Sequence, residues 1–184
     1  MNKKFAAIGV MALTLTTCST PTQAIEPKPI VLTATQSNDS LLIMMKDWKE
    51  KFQLQENKTL MKKTIRKLKS HVGKTWYVFS GSTPRGWDCS GLTMWFYKQL
   101  GVDLVHSASA QKYSGKIVRT PRIGDIVAFG WKGYKGSSHV GIYIGKGLMI
   151  HSPKPGQSTR IEDIKDFAKY GFSKITYTRI VEIS

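Results

Sequence analysis

The chain has 184 residues, with 28 lysines and arginines against 12 aspartates and glutamates, for a formal net charge of +16. That length supports one domain with a sizeable core and excludes two comfortable ones. Two cysteines exclude a disulfide framework, and the basic balance favours polyanionic surroundings, although simple solubility would also account for it.

The N-terminus reads as an export signal spanning 1–24. Asn2-Lys3-Lys4 is a short basic region, and Phe5 to Thr17 is an apolar run too short to cross a bilayer stably. Thr22-Gln23-Ala24 offers small residues for cleavage, so the mature chain is expected to start near Ile25. A rival reading makes Leu15-Thr16-Thr17-Cys18 a lipid-attachment box, for which Thr17 is a poor match. Either way export from a bacterial-type cytoplasm follows, to the periplasm, the envelope or the medium. Wall polymers, anionic lipid headgroups or lipopolysaccharide are then better partners for the charge than nucleic acid.

Residues 25–38, with Pro27 and Pro29, read as a flexible lead-in. An extra amphipathic helix is expected within 39–58, its stripe formed by Leu41, Leu42, Met45, Trp48 and Phe52. A second helix is expected from about Thr59 to Val72, with Leu60, Ile65 and Leu68 on its apolar side and Gly73 ending it. Its Lys62, Lys63, Arg66, Lys67 and Lys69 form a solvated face or a surface for anionic polymers or membranes. Thr75 to Ser80 is an aromatic, β-branched stretch, and 81–86 is a loop.

A third helix starts at Cys89 behind Asp88, a natural N-cap; Leu92, Trp95, Phe96 and Leu100 share one face, and Gly101 closes it. Strands follow: 126–129, 139–144 with Val140, Ile142 and Ile144 opposite His139, Gly141 and Tyr143, a return strand over 148–152, and a last one over 175–180. Helices first and an antiparallel sheet second make an α+β order.

Cys89 is the sole thiol outside the signal. A cysteine can be an inert core residue, but at a helix start the unpaired N–H groups and the helix dipole favour the thiolate. An imidazole can take its proton and later protonate a leaving amine. If Gly145-Lys146-Gly147 is a three-residue hairpin loop, Tyr143 pairs with Met149 and Gly141 with His151, placing His139 and His151 on one face. A two-residue loop would turn His151 to the other face. The spacing of Cys89, His139 and His151 matches no short zinc signature, and no metal or cofactor is expected. His71 and His106 read as structural.

Residues 77–92, including Trp87-Asp88-Cys89-Ser90-Gly91, resemble the nucleophile segment of the NlpC-type cell-wall cysteine peptidases, a papain-like family. Ser107 to Gln111, Pro121 to Phe129, Ser138 to Gly145 and Met149 to His151 are similar to its later segments, in order. The resemblance implies a papain-like domain over 59–184 with its nucleophile helix packed on an antiparallel sheet. Cys89 would be the nucleophile, His139 the general base and acid, and His151 the orienting residue. Tyr77 would line the oxyanion region, while Asp88 and Ser90 would receive the free amino end of a short peptide. The implied activity is hydrolysis of peptidoglycan stem peptides, often between γ-D-glutamate and a diamino acid. An amidase or lipid acyltransferase on the same site, or a silent basic wall- or membrane-binding module, are the alternatives. Three positions depart from the family pattern: Ser80 replaces the first glycine of a pair, Trp87 a phenylalanine, and His106 a frequent arginine.

Overall fold

The computed structural model describes residues 38–183. The signal, the Cys18 box and nearly all of the lead-in lie outside them.

One helix, α1 (Asn38–Lys69), replaces the two expected. Glu56-Asn57-Lys58 holds neither Gly nor Pro to break it, and Asn57 Nδ2 donates to the Glu182 carbonyl at 2.9 Å. Met61, Ile65 and Leu68 are buried, so the second half docks. The first half does not: Leu42, Met45, Trp48 and Phe52 are exposed, the last two stacked at 5.5 Å. The expected stripe therefore faces no core of the described chain. No described helix is long and apolar enough to cross a membrane.

The loop read over 81–86 holds a two-stranded hairpin, β1 (Ser82–Thr83) and β2 (Gly86–Trp87). Then come α2 (Cys89–Lys98) and α3 (Ala108–Lys112). The main sheet has β3 (Lys116–Val118), β4 (Ile126–Gly130), β5 (His139–Gly145), β6 (Leu148–His151), β7 (Arg160–Asp163) and β8 (Lys174–Arg179), with α4 (Ile164–Ala168) before β8. The order is β3-β8-β4-β5-β6-β7, and every pairing is antiparallel. β3, β7, α3 and α4 are too short to leave a period in the sequence.

The alternation of β5 divides the core. Val140 and Ile142, with Ile150, join Leu92 and Phe96 of α2 on one face. Val127, Phe129 and Met149 pack with Ile164 and Phe167 on the other. Beneath the start of β4, Asp125 accepts Arg179 Nε at 3.1 Å and Nη2 at 2.9 Å, a buried pair that ties this turn to β8.

The β5–β6 hairpin reaches the expected pairing by another route. Tyr143 pairs with Met149 and Ile142 with Ile150, but Gly145 pairs with Leu148 across a bulge at Ile144. The loop is thus two residues, Lys146 and Gly147, both at positive φ (54° and 76°), as a tight right-twisted hairpin turn requires. Two loop residues alone would invert the face of His151; the extra residue in β5 restores it.

Candidate active site

The site begins with Asp88. Its Oδ1 accepts the Gly91 N–H at 2.7 Å and the Ser90 hydroxyl at 2.9 Å, and its Oδ2 accepts the Ser80 N–H at 3.1 Å. His106 Nε2 lies 2.9 and 3.0 Å from the two oxygens. Burial pushes the carboxyl pKa up, but the Gly91 N–H, His106 and the Ser90 hydroxyl outweigh it and hold it below the ordinary range. The cap therefore fixes the first turn of α2 by a charge-assisted network. Most of the hydrogen-bonding capacity of Asp88 and Ser90 is spent inside the protein. His106, read as structural, belongs to this network; the departure from arginine at that position is the sequence signal that marks it.

Gly91 lets α2 approach the preceding turn. A Cβ there would lie 1.9 Å from the Gly81 carbonyl oxygen. Ser80 sits at φ 56°, in the left-handed region, which is the physical reason a glycine suits that position. Trp87 is fully buried; its Nε1 donates to Thr159 Oγ1 at 2.7 Å and its carbonyl accepts the Ser152 hydroxyl at 2.9 Å. Gln111 Nε2 donates to the Ser90 carbonyl at 2.9 Å, joining α3 to the first turn of α2.

Cys89 is the first residue of α2, and the Val140 N–H of β5 is close enough to favour its thiolate, so the thiol lies near the peptide that follows His139. Burial pushes the thiol pKa up to about 11. The N–H groups of Val140, Ser90 and Cys89 itself pull the other way, while Asp88 adds to the rise. The helix start does not yield the thiolate expected from the sequence: desolvation exceeds the dipole and the N–H contacts. Tyr77 is part-buried, and burial, then the negative forms of Cys89 and Asp88, raise its phenol pKa.

His139 and His151 come together as the same-face register requires, with His139 Nε2 2.8 Å from His151 Nδ1. Gly141 makes room between them, since a Cβ there would stand 3.1 Å from His151 Cβ. His151 Nε2 meets Glu162 Oε2 at 2.9 Å, an oxygen that also accepts Arg160 Nε at 2.9 Å and Nη2 at 2.7 Å. Phe129, Phe167 and Phe172 surround the His139 ring, with the Phe167 centroid at 4.7 Å. Burial, then the Arg160 charge, lowers His139 to about 3. Burial, His139 and Arg160 likewise lower His151. Both rings are therefore neutral near pH 7.

The bond directions follow. A carboxylate only accepts, so His151 carries its proton on Nε2 and accepts at Nδ1. His139 then donates from Nε2 and keeps a bare Nδ1, the nitrogen able to take a proton. Glu162 and Arg160 escaped the sequence reading. Their one signal is an acid alternating with Ile161 on a strand whose Glu162 pairs with Met149, diagonal to His151. His71 stays structural, edge-on to Trp87 and Trp95. Among the described residues, no group of three or more His, Cys, Asp or Glu is placed to hold a metal ion.

This arrangement is that of a papain-like α+β domain, with a cysteine at a helix start against a strand that carries histidine. A segment similar to the NlpC/P60 family covers residues 73–176, more than half of the chain, and the chain belongs to that family. It is 35% identical over 111 residues to the murein DD-endopeptidase MepH of Escherichia coli K12, covering 57% of this chain and 41% of the relative. It is 38% identical over 88 residues to the γ-D-glutamyl-L-lysine dipeptidyl-peptidase of Bacillus subtilis 168, covering 46% of this chain and 30% of the relative. The crystal structure of the NlpC/P60 domain of the peptidoglycan hydrolase SagA superposes with a TM-score of 0.54 at 31% identity, covering 63% of this chain and 96% of that one. The chain spans well under half the length of the curated relatives it matches.

Proposed function

We propose that this chain is an exported cysteine endopeptidase that hydrolyses an amide in peptidoglycan stem peptides, between γ-D-glutamate and the diamino acid that follows. The observation that carries this reading is the hydrogen-bonded chain of His139, His151 and Glu162, with the Cys89 thiol near the Val140 N–H of the same strand. Family membership and the endopeptidase relatives support it.

The reaction starts from a neutral pair, because burial keeps the thiol protonated and the imidazole uncharged. As Cys89 Sγ bonds to the carbonyl carbon, its proton passes to His139 Nδ1. The resulting imidazolium donates from Nε2 to His151, whose own N–H rests on Glu162, so the positive charge forms along a line ending in a carboxylate. Tyr77 lies near the developing oxyanion. The tetrahedral intermediate collapses as His139 gives its proton to the leaving amine, leaving a thioester. Water, deprotonated by His139, then releases the acyl half and the thiol. Asp88 and Ser90 hold the first turn of α2 and, in this reading, receive the amino end of the substrate. Lys62, Lys63, Arg66, Lys67 and Lys69 give the enzyme an attraction for anionic wall polymers or lipid in the envelope, although Lys67 is partly engaged with Gln99 at 2.7 Å.

Purified sacculi digested with the protein and analysed by mass spectrometry test the reading. New stem-peptide ends are expected, and are expected to vanish in Cys89→Ala and His139→Ala with the fold retained. Unchanged muropeptides after long incubation with folded protein would overturn it and leave the silent binding module. Products of a different mass would instead point to amidase or acyl-transfer chemistry.

A further inference from the structure

We propose that the exposed side of α1 docks on a lipid bilayer with anionic headgroups, its first half sunk into the interface and its second half laid over the headgroups. Docking on lipid is independent of the endopeptidase activity proposed above.

A helix brings residues three and four apart onto one side. Met61, Ile65 and Leu68 mark the side of α1 that packs on the domain. The opposite side runs through Leu41, Met45, Trp48 and Phe52 and then, past Thr59, through Lys63 and Arg66. Its two halves differ in chemistry. Met45 and Trp48 are each 67% exposed and Phe52 is 52% exposed, although all three are apolar. Leu42, Ile43 and Met44 are exposed as well, so the start of the helix is apolar on nearly every side. From Asn57 onward the helix holds no acidic residue. Lys62, Lys63, Arg66 and Lys69 are exposed there, and none of them enters an ion pair among the described residues.

An exposed apolar patch outside any core marks a contact with a protein or a membrane. The charges choose between them. Lys49 and Lys51 flank the stripe on its two edges, while Asp39 and Glu50 fall on the far side. Lys51 also meets Asp47 at 2.8 Å, an exposed pair within the helix that contributes little. A second copy laid along the stripe would set lysine against lysine at both edges, where paired helices place opposite charges. Anionic headgroups would meet both edges favourably, with the lysine stems lying along the apolar surface. A wall polyanion would satisfy the basic half and leave Trp48 and Phe52 in water. An anionic bilayer fits both halves, and a tryptophan suits the boundary between acyl chains and headgroups. The stripe from Leu41 to Phe52 is only ~17 Å long, and no described helix is long and apolar enough to cross a membrane. The helix therefore lies along the surface.

Sedimentation of the purified protein with vesicles tests this. One set is made of equal parts phosphatidylglycerol and phosphatidylethanolamine, the other of phosphatidylcholine. The wild type is expected to bind the anionic vesicles at least about tenfold more tightly than the neutral ones. Trp48→Ser with Phe52→Ser should weaken binding to the anionic vesicles at least about tenfold. Lys62→Gln, Lys63→Gln and Arg66→Gln together should remove the preference for them. All share one N-terminus, so the differences belong to α1. The substituted positions are exposed, and both variants should keep the wild-type melting temperature. Wild type that binds neither vesicle would overturn the proposal, and a Trp48-dependent dimer by light scattering would then give the stripe to a second copy. Anionic binding that the aromatic variant keeps in full would leave a charge contact only and would equally overturn it. Vesicle binding without stem-peptide cleavage would overturn the endopeptidase reading and uphold this one.

Discussion

Removing Glu162 tests whether a carboxylate two steps from His139 sets the proton on that ring. Glu162→Ala deletes the acceptor of His151 Nε2, which lies 2.9 Å from it in a buried ring. Nothing then prevents His151 from moving its proton to Nδ1, which would face the N–H of His139 2.8 Å away. His139 must answer by placing its own proton on Nδ1, and the ring loses its base. Leaving a buried donor unpaired costs about 1–3 kcal/mol. If that energy is what holds the productive tautomer, kcat/KM on a stem peptide should fall by about fivefold to 150-fold. Glu162→Gln keeps a neutral acceptor and loses only the charge assistance, so it should fall between the wild type and Glu162→Ala. Activity is read beside nitrogen NMR of the imidazoles, because a merely structural role would not move the tautomer. The wild type should show Nε2–H on both rings, and Glu162→Ala a mixture. An Nδ1–H on either wild-type ring, or a Glu162→Ala rate within twofold of wild type with unchanged tautomers, would refute the reasoning.

Gly91→Ala should abolish folding, since its Cβ would enter the Gly81 carbonyl at 1.9 Å; a cooperative near-wild-type melt would contradict this. Cys89 should react slowly with iodoacetamide at pH 7 and steadily faster towards its pKa of about 11. A rate plateau below pH 8 would contradict that. His139 titrates near 3 in the fold against an ordinary 6.5. The unfolded chain therefore binds more protons, and the stability present above pH 6.5 is lost as pH falls towards 3. The loss by pH 4 should be of order 3 kcal/mol, read from urea unfolding; stability that is flat between pH 7 and 4 would exclude it. Asp125→Ala leaves the Arg179 guanidinium buried without its carboxylate and should cost about 3–5 kcal/mol in the same assay.

The helix start at Cys89 and the faces of β5 were legible because each rests on a local signal, an N-cap and an alternation; the pairing of His139 with His151 came out as expected only because the bulge at Ile144 makes up for a loop one residue shorter than the three-residue reading. The family resemblance tied these signals into one domain. What stayed illegible depended on partners distant in the chain. Nothing near Cys89 shows how far burial outweighs the helix dipole at its thiol. Glu162 becomes meaningful only once β7 lies against β6, and His106 only once the segment before α3 folds back on Asp88. The exposed stripe of α1 shows the converse, for amphipathic spacing states that a face is apolar without saying what, if anything, covers it.

The bulge at Ile144 separates two quantities that a simple hairpin would bind together. Substitutions in the turn change its ease of formation, but whether the two imidazoles share a face depends on the parity of the residue count between 139 and 151. A single deletion at Lys146 should send one ring through the sheet, whereas a deletion paired with one insertion in the same hairpin should restore the contact. The length of this stretch is therefore held in steps of two, a constraint separate from the packing that fixes Gly141 and the buried side chains of both strands.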